Sequence, residues 1–556
     1  MRAKAFLRSL RIKDEGGPSP NRWINNDIKP IEAERRTWGF WTFHNFWVLI
    51  NSNISSYMTG SSLIALGLTW WQAIISIVIG QVIATALVVL NSLPGAYYHL
   101  GFPVVNRYVW GMYGSTFVIL NRILLSIVWY GFQAWIGGEC VYVCLQAIWP
   151  DLESRIPNHL SPSTGTTTAN FLGYIIFMLI SLPIIYVRPH KLKTLFYGSA
   201  ATILIFELVL LIWSLATMGS GGFGSTISGS ASSSNGESSG WIIAFGIIST
   251  IGSISAGILN QNDYARFARR PKDAVWGQVI SFPFYAIVCS VIGILVTAAT
   301  QERYGGAMWN LPTLLSAVIE NGGSRSRAAA FFGGAALVIS QIGVNVPGNS
   351  LAGGIHFTPS KVSLSPAFKL RFDMAATFPQ YINIRRGAYI TALLSIACNP
   401  WKLVNTATTF LAVLSSYSVF LGPMTGLMIS SYFVINKRKI KVDDLFVGDS
   451  SSIYWYTCGL DWRAAVAWVC GTVPSLPGFV AYVSPGISVP TGLTHLYYIC
   501  FLSGLAISAV VYCTFHLLFP ATAVRDFVST APPAPVLMRE YRERWDGVGT
   551  ESDQKA

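Results

Sequence analysis

Charge is what this chain lacks most. Only 11% of its 556 residues are Asp, Glu, Lys or Arg, against 52% hydrophobic residues, and mean hydropathy is +0.48. An ordinary soluble domain carries about 25% charged residues, so that class is excluded and a polytopic membrane protein remains. Cysteine is sparse as well, with 8 in the chain, mostly inside apolar runs. Cys140 and Cys144 are the only close pair, which excludes a disulfide framework and zinc-type ligand spacing. No nucleophile–base arrangement stands out either, so the reading is no catalytic residue, no metal, no cofactor and no enzyme. Acidic residues number 25 against 38 basic ones. The basic excess sits in short clusters between apolar spans rather than along one stripe, the pattern of orientation signals and not of a nucleic-acid surface.

What is abundant is apolar sequence. Stretches able to cross about 30 Å of hydrocarbon recur near 40–66, 70–92, 115–147, 170–187, 195–217, 240–260, 274–299, 329–351, 387–398, 402–435, 462–483 and 495–519. They predict an all-α polytopic membrane protein with about twelve transmembrane helices, the ninth being short. Residues 1–36 form a polar, basic tail (Arg2, Lys4, Arg8, Arg11, Lys13) with no signal-peptide core behind it, which predicts a cytoplasmic N-terminus. On that count the inside loops hold Arg107, the run Arg188 to Lys193, Arg266, Arg269, Arg270, Lys272, Arg385-Arg386 and Lys437-Arg438-Lys439. Opposite loops are mostly Gly, Ser, Pro and Asp, with Arg303, Arg325 and Arg327 as exceptions, so the positive-inside rule holds along most of the chain. The expected organisation is a tail at 1–36, a transporter unit at 37–520 and a cytoplasmic tail at 521–556. That last tail, with Pro532-Pro533-Ala534-Pro535 and a charged run from Arg539 to Arg544, reads as a flexible regulatory end open to trafficking or ubiquitination machinery. The Gly/Ser-rich stretch 219–239 reads as an extracellular linker.

Two interruptions stand inside otherwise apolar spans. Asn51-Ser52-Asn53-Ile54-Ser55-Ser56 lies in span one and Gly252-Ser253-Ile254-Ser255-Ala256-Gly257 in span six. Glycine without a side chain and serine that bonds backbone both weaken a helix. Unwinding would expose backbone at Ser52, Ile54, Ser253, Ile254 and Ser255, which a bilayer tolerates only beside protein or a watery cavity. Interrupted spans at corresponding positions of two halves point to a transporter's substrate site. Ordinary small-residue helix contacts explain the same residues equally well.

Span three carries the best constellation of side chains. Trp129 and Gln133 are four apart and share a helical face, an indole beside an amide that both donates and accepts. A flat polar heterocycle could stack on one and bond to the other; a packed tryptophan and an interhelical amide are the plainer reading. Span eight adds Gln341, Asn345 and Asn349, amides that require polar partners in an apolar segment. His44, Glu139 and Glu207 are the ionisable groups that stand out within spans; Glu207 reads first as structural, and Glu139 equally as structural or as proton-carrying. The cluster from Asn260 to Arg270 reads as a gate pairing or, more simply, as a satisfied surface cluster at a helix end.

Several segments together resemble the nucleobase:cation symporter-1 family, and within it the fungal uracil/allantoin permease branch. They are Arg35-Arg36-Thr37-Trp38-Gly39, Asn91-Ser92-Leu93-Pro94-Gly95-Ala96, Phe102-Pro103-Val104-Val105-Asn106-Arg107, Trp129-Tyr130-Gly131-Phe132-Gln133, Leu259 through Phe267, and Tyr381 through Gly387. The likeness runs from about Asn21 to about Pro520. It implies a leucine-transporter-like fold, in which the first ten spans form two inverted five-helix repeats and two further helices follow. It implies substrate roles for Trp129, Gln133 and Asn349, a further role for Asn53 at the first-span interruption, and no assigned role for Trp38. Where sodium-coupled relatives carry adjacent hydroxyl ligands on helix eight, this chain has Gly343 and Val344. Neither offers a side-chain oxygen to a hard cation. Residues 355–372 lie where relatives pass almost directly from Gly353-Gly354 to Asp373, as a cytoplasmic insertion or a gene-model artefact.

The resemblance implies a multi-pass plasma-membrane importer with both termini cytoplasmic. Its substrate would be uracil, allantoin or a closely similar heterocycle, and its partners that small molecule, the lipid bilayer and a coupling proton, with Glu139 as the proton-coupling candidate. The alternatives are a carrier of purine, uridine, thiamine or nicotinamide riboside, and a nutrient receptor that keeps the pocket without transporting.

Overall fold

The computed structural model describes residues 23, 28–187, 193–220, 222–223, 237–346, 349, 384–484 and 486–553. The 355–372 segment, the tail before residue 23, the basic run at 188–192 and most of the Gly/Ser-rich stretch lie outside the described residues. The described residues are helical throughout, without a named strand. The principal helices are α1 (Phe40–Asn51), α2 (Ile54–Ala65), α3 (Trp70–Tyr98), α4 (Phe102–Trp110), α5 (Ser115–Ile148), α6 (Thr168–Tyr186), α7 (Lys193–Ala216) and α8 (Ser239–Leu259). There follow α9 (Asn262–Ala265), α10 (Pro271–Tyr304), α11 (Leu311–Glu320), α12 (Ser324–Asn345), α13 (Ile384–Ser395), α14 (Ala407–Ser416) and α15 (Ser418–Ser430). The last are α16 (Trp462–Thr472), α17 (Leu476–Val483), α18 (Thr491–Tyr498), α19 (Cys500–Leu518), α20 (Thr522–Thr530) and α21 (Ala534–Asp553).

Ten helical stretches among the described residues are long and apolar enough to span a bilayer, with α14–α15 and α16–α17 each counting as one. The divided pair α1–α2 and the short α13 fall below that length, so the expected twelve is reached only by including them. Local chemistry sets the helix starts. Thr69 and Gln72 form a reciprocal capping box at α3, while Thr167, Asn310 and Thr406 cap α6, α11 and α14 through side-chain oxygens. The outward faces carry exposed Val82, Leu179, Ile205, Ile212, Val510 and Leu517, apolar where a soluble bundle turns polar side chains to water.

The packing repeats with an offset of five spans. The divided span α1–α2 packs on α10 as α8 packs on α3, and α1 meets α7 as α8 meets α14. α5 packs against α12, the pair that the offset maps onto itself. Beyond the repeats, α19 packs on α15 and α16, joined by a buried group in which Asp461 meets Arg463 at 3.0 Å and His516 at 3.2 Å.

Two expectations are corrected at the basic end of the bundle. The tail after Pro520 is not a loose end over its described length. It forms α20 and α21 and buries Val524, Val528, Leu537, Met538 and Tyr541, while Lys439 Nζ donates to the carbonyls of Val528 and Ala531 at 2.8 and 2.7 Å. Apolar residues three and four apart give these helices a face to dock. Most of the Asn260–Arg270 cluster is likewise no surface feature: Gln261 and Asn262 are fully buried and Asp263 nearly so, and only Arg269 and Arg270 are exposed. Asp263 pairs with Arg122 of α5 at 2.6 Å and accepts from the Phe102 N–H at 2.9 Å. Asn262 Oδ1 accepts from the Gly95 N–H at 2.7 Å, and Asn91 Nδ2 donates to the terminal α8 carbonyls of Ile258 and Leu259 at 2.6 and 3.0 Å. A surface pair would contribute little; this one ties α3, α4, α5 and α8 into a latch. His99 belongs to it, its Nδ1 2.9 Å from the Arg266 carbonyl. Burial, then the Arg36 charge, push its pKa down to about 3, so it stays neutral. Trp38 is fully buried beside Tyr264 and Phe267, its backbone paired with Phe267 and Arg269.

Candidate functional site

The site begins where α1 stops. Ser52 and Asn53 separate α1 from α2, with Asn53 extended at φ −155° and ψ 164°. A helix end leaves backbone groups without partners, and Asn53 serves both ends at once. Its Oδ1 accepts from the Ser56 N–H at 2.9 Å and its Nδ2 donates to the Ile50 carbonyl at 2.6 Å. α10 braces the break from behind: Asn51 Nδ2 donates to the Phe282 carbonyl at 2.7 Å, and Ser290 Oγ to the Ser56 carbonyl at 2.8 Å. Gly293 lets α10 approach this closely, because a Cβ there would fall onto the Tyr57 carbonyl. Ile54, expected within the interruption, is instead the first residue of α2.

The matching stretch of α8 does not unwind. The helix runs unbroken from Ser239 to Leu259, so Ser253, Ile254 and Ser255 offer no free backbone. Ser253 Oγ donates back to the Thr250 carbonyl at 2.7 Å and Ser255 Oγ to the Gly252 carbonyl at 2.8 Å, bonds that a helix accommodates. Gly252 serves packing, since a Cβ there would meet the Leu414 carbonyl and Ser418 Oγ. In this structure the stretch makes a small-residue helix contact.

Between the break and α5 lies a cavity of about 160 Å³. Trp129, Gln133, Asn53 and Asn349 all line it, with Ser55, Gln81, Phe46, Tyr264 and the Ser253–Ile254 face of α8. Trp129 is half-buried and meets Phe132 edge-on. Gln133 Nε2 donates to Ser55 Oγ at 2.9 Å, and its Oε1 accepts from Gln341 Nε2 at 2.9 Å. A primary amide has two N–H donors and two lone pairs, so Gln133 keeps one of each for a ligand. The span-eight amides, at the end of α12 and just beyond it, continue the network: Asn345 Nδ2 donates to the Tyr130 carbonyl at 3.2 Å, and Asn349 Nδ2 to Asn345 Oδ1 at 3.0 Å. An aromatic face beside an oriented donor and acceptor suits a flat ring with an amide-like edge.

Glu139 is placed elsewhere. It lies six positions beyond Gln133 on α5, accepts from Asn310 Nδ2 at 3.2 Å, and lines a second cavity of about 520 Å³ with Trp135, Trp309 and Trp401. Sequence reasoning missed Ser55 as the partner of Gln133. It also missed Gln81, whose buried Oε1 has no protein partner among the described residues. A lone amide midway along an apolar span was the available signal for Gln81.

The profile of a family described as permeases for cytosine/purines, uracil, thiamine and allantoin matches residues 30–504. The transporter aclS of Aspergillus oryzae is 34% identical over 562 residues, covering 94% of this chain and 91% of that protein. The allantoin permease of Saccharomyces cerevisiae is 36% identical over 515 residues, covering 91% of this chain and 78% of that protein. Among solved structures, the inward-facing conformation of Mhp1 superposes with a TM-score of 0.68 at 20% identity, covering 94% of this chain and 98% of that one. That likeness is one of fold.

Proposed function

Because the chain belongs to the family of permeases for cytosine/purines, uracil, thiamine and allantoin, we propose that it imports uracil, allantoin or a closely similar heterocycle by proton symport. The observation that carries this reading is the cavity at the α1–α2 break, where the Trp129 face and the half-committed Gln133 amide stand together. In the proposed pose the ring stacks on Trp129, and its N–H/C=O edge bonds to the remaining acceptor and donor of Gln133. Asn349 orients a second edge. Asn53 acts chiefly by holding the break open to the cavity, since both ends of its amide already bind backbone. The transport unit is 37–520, in the plasma membrane, with both tails cytoplasmic; the basic clusters on one end support that orientation. Alternating access then swings helices around the cavity.

Proton coupling is favoured by Gly343 and Val344. Neither has a side-chain oxygen, and Gly343 packs so closely on Ser199 that a side chain there would collide. Sodium must recover its shed hydration from well-placed oxygens; a proton needs one titratable group.

Radiolabelled uptake across nucleobases, ureides and vitamins tests the substrate, with Trp129→Ala and Gln133→Ala as controls that reach the cell surface. Losing the platform or the edge bond costs about 1–3 kcal/mol, or roughly five- to 150-fold in apparent affinity. Unchanged affinity in both variants defeats the pose, and binding without uptake makes the protein a receptor. Uptake should rise as external pH falls, collapse with a protonophore and persist in choline; arrest by choline alone reverses the coupling assignment.

A further inference from the structure

Among the described residues, the other acids of the interior have partners. Asp263 has Arg122, Asp461 has Arg463 and His516, and Glu139 has Asn310. Glu207, on α7, is the exception: it is 0% exposed, and neither carboxylate oxygen makes a well-formed hydrogen bond to the described residues. No charge replaces the water this carboxyl has lost, and the Cys289 thiol beside it is a weak donor.

Its surroundings lead to the break. The Cys289 thiol of α10 lies against the Glu207 carboxyl, and the same thiol faces Ser52 Oγ and the Asn53 backbone. Ser290, the next residue, bonds to the Ser56 carbonyl and so fixes this part of α10 against α2. Tyr57, in the first turns of α2, is within electrostatic reach of Glu207. Glu207, Cys289, Tyr57 and Ser52 are all buried, and Ser52 Oγ and the Tyr57 hydroxyl also lack well-formed bonds. Among the described residues, no cation of the packed elements compensates the acid. His44 of α1 turns to Tyr285 of α10, Arg303 of α10 sits over Trp213 at the far end of α7, and α12 has only Arg325, exposed, and Arg327, bound to carbonyls ending α5.

We infer that Glu207 is the acid that carries the coupled proton, communicating with the substrate cavity through Cys289 and the α1–α2 break. This rests on the proton-symport reading above. On loading, one carboxylate oxygen gains an O–H bond to a proton from the outer solution; on release that bond breaks and the proton passes to inner water. No other bond changes. The buried setting seen here fits the neutral acid, whereas movement at the break that admits water to Ser52 and Cys289 makes the carboxylate tolerable. Glu139, bonded to Asn310 in a separate cavity, is not linked to the break in this way.

Full-length wild type, Glu207→Gln and Glu139→Gln are compared in proteoliposomes with radiolabelled uracil and allantoin. Three quantities are read: uptake driven by an imposed pH gradient, substrate-evoked proton movement from an internal pH dye, and substrate exchange without a gradient. Glu207→Gln should lower driven uptake by about tenfold or more and abolish the dye signal, while exchange stays within about twofold. Glu139→Gln should keep both signals. Proton movement retained in Glu207→Gln, or lost only in Glu139→Gln, overturns the inference. Substrate movement without protons in wild type defeats symport itself and the inference with it. Should Glu207→Gln fail to fold, Cys289→Ser and Cys289→Ala decide: changing the carboxyl's neighbour must move the midpoint of the uptake–pH curve by about half a unit or more, and a wild-type midpoint in both overturns the inference.

Discussion

Span one and α8 hold matching positions in the two halves and carry similar small polar residues, yet one is broken and the other is whole. The difference is a single side chain. Asn53 supplies an acceptor to the start of α2 and a donor to the end of α1, so the break leaves few backbone groups wanting. In α8 the serines bond back to their own helix and Gly252 is spent on contact with α14. Small residues permit a break; a residue that satisfies both helix ends creates one. The two stretches also face the cavity differently. Span one contributes capped, fixed backbone, and α8 contributes the side-chain surface of Ser253 and Ile254.

The sharpest way to break this comparison is Asn53→Ala. Loss of a cap costs about 1 kcal/mol, and a buried carbonyl left without a donor costs about 1–3 kcal/mol more. Uptake should be lost, and thermal stability in detergent should fall further than for any substitution in α8. Asn53→Asp separates the two ends, because it keeps the acceptor for Ser56 and removes the donor to Ile50. It should recover part of the stability; a variant as weak as Asn53→Ala would mean that the Ile50 bond alone holds the break.

Gly252→Ala comes next. Its Cβ would meet the Leu414 carbonyl, a backbone atom that moves only if α8 and α14 part. Overpacking of this kind costs about 1–3 kcal/mol. Gly257→Ala, five residues on, meets only the Ile254 side chain, and should be nearly neutral by the same thermal assay. Equal losses in both would show that helix flexibility, and not packing, is what the glycines provide.

Ten of the membrane spans were legible because each is a long apolar run, and that signal is local. Trp129 and Gln133 were legible for a related reason: a spacing of four places both on one helical face. What completes the site was not, because its bonds join distant parts of the chain. Ser55 meets Gln133 across 78 positions and Gln341 meets Gln133 across 208. The latch was misread as surface for the same reason, its Asp263 finding Arg122 across 141 positions. The docked C-terminal helices were hidden by the proline run at their junction. Their apolar face, Val524 with Val528 and Leu537 with Met538 and Tyr541, was nonetheless present as helical spacing.

The smallest effect belongs to Ser253→Ala and Ser255→Ala. Were the α8 stretch poised to unwind, its hydroxyls would be needed to hold freed backbone, and removing them would impair uptake as severely as Asn53→Ala. In the unbroken helix each hydroxyl merely shares a carbonyl that lies within the helix already. Alanine is the better helix former, so stability should change by no more than about 0.5 kcal/mol. The two positions should still part company in function. Ser253 lines the cavity and Ser255 does not, so Ser253→Ala should alter apparent substrate affinity modestly while Ser255→Ala leaves it unchanged. Saturable uptake measured for both decides the matter: a severe loss in Ser255→Ala would mean that α8 opens during the cycle after all.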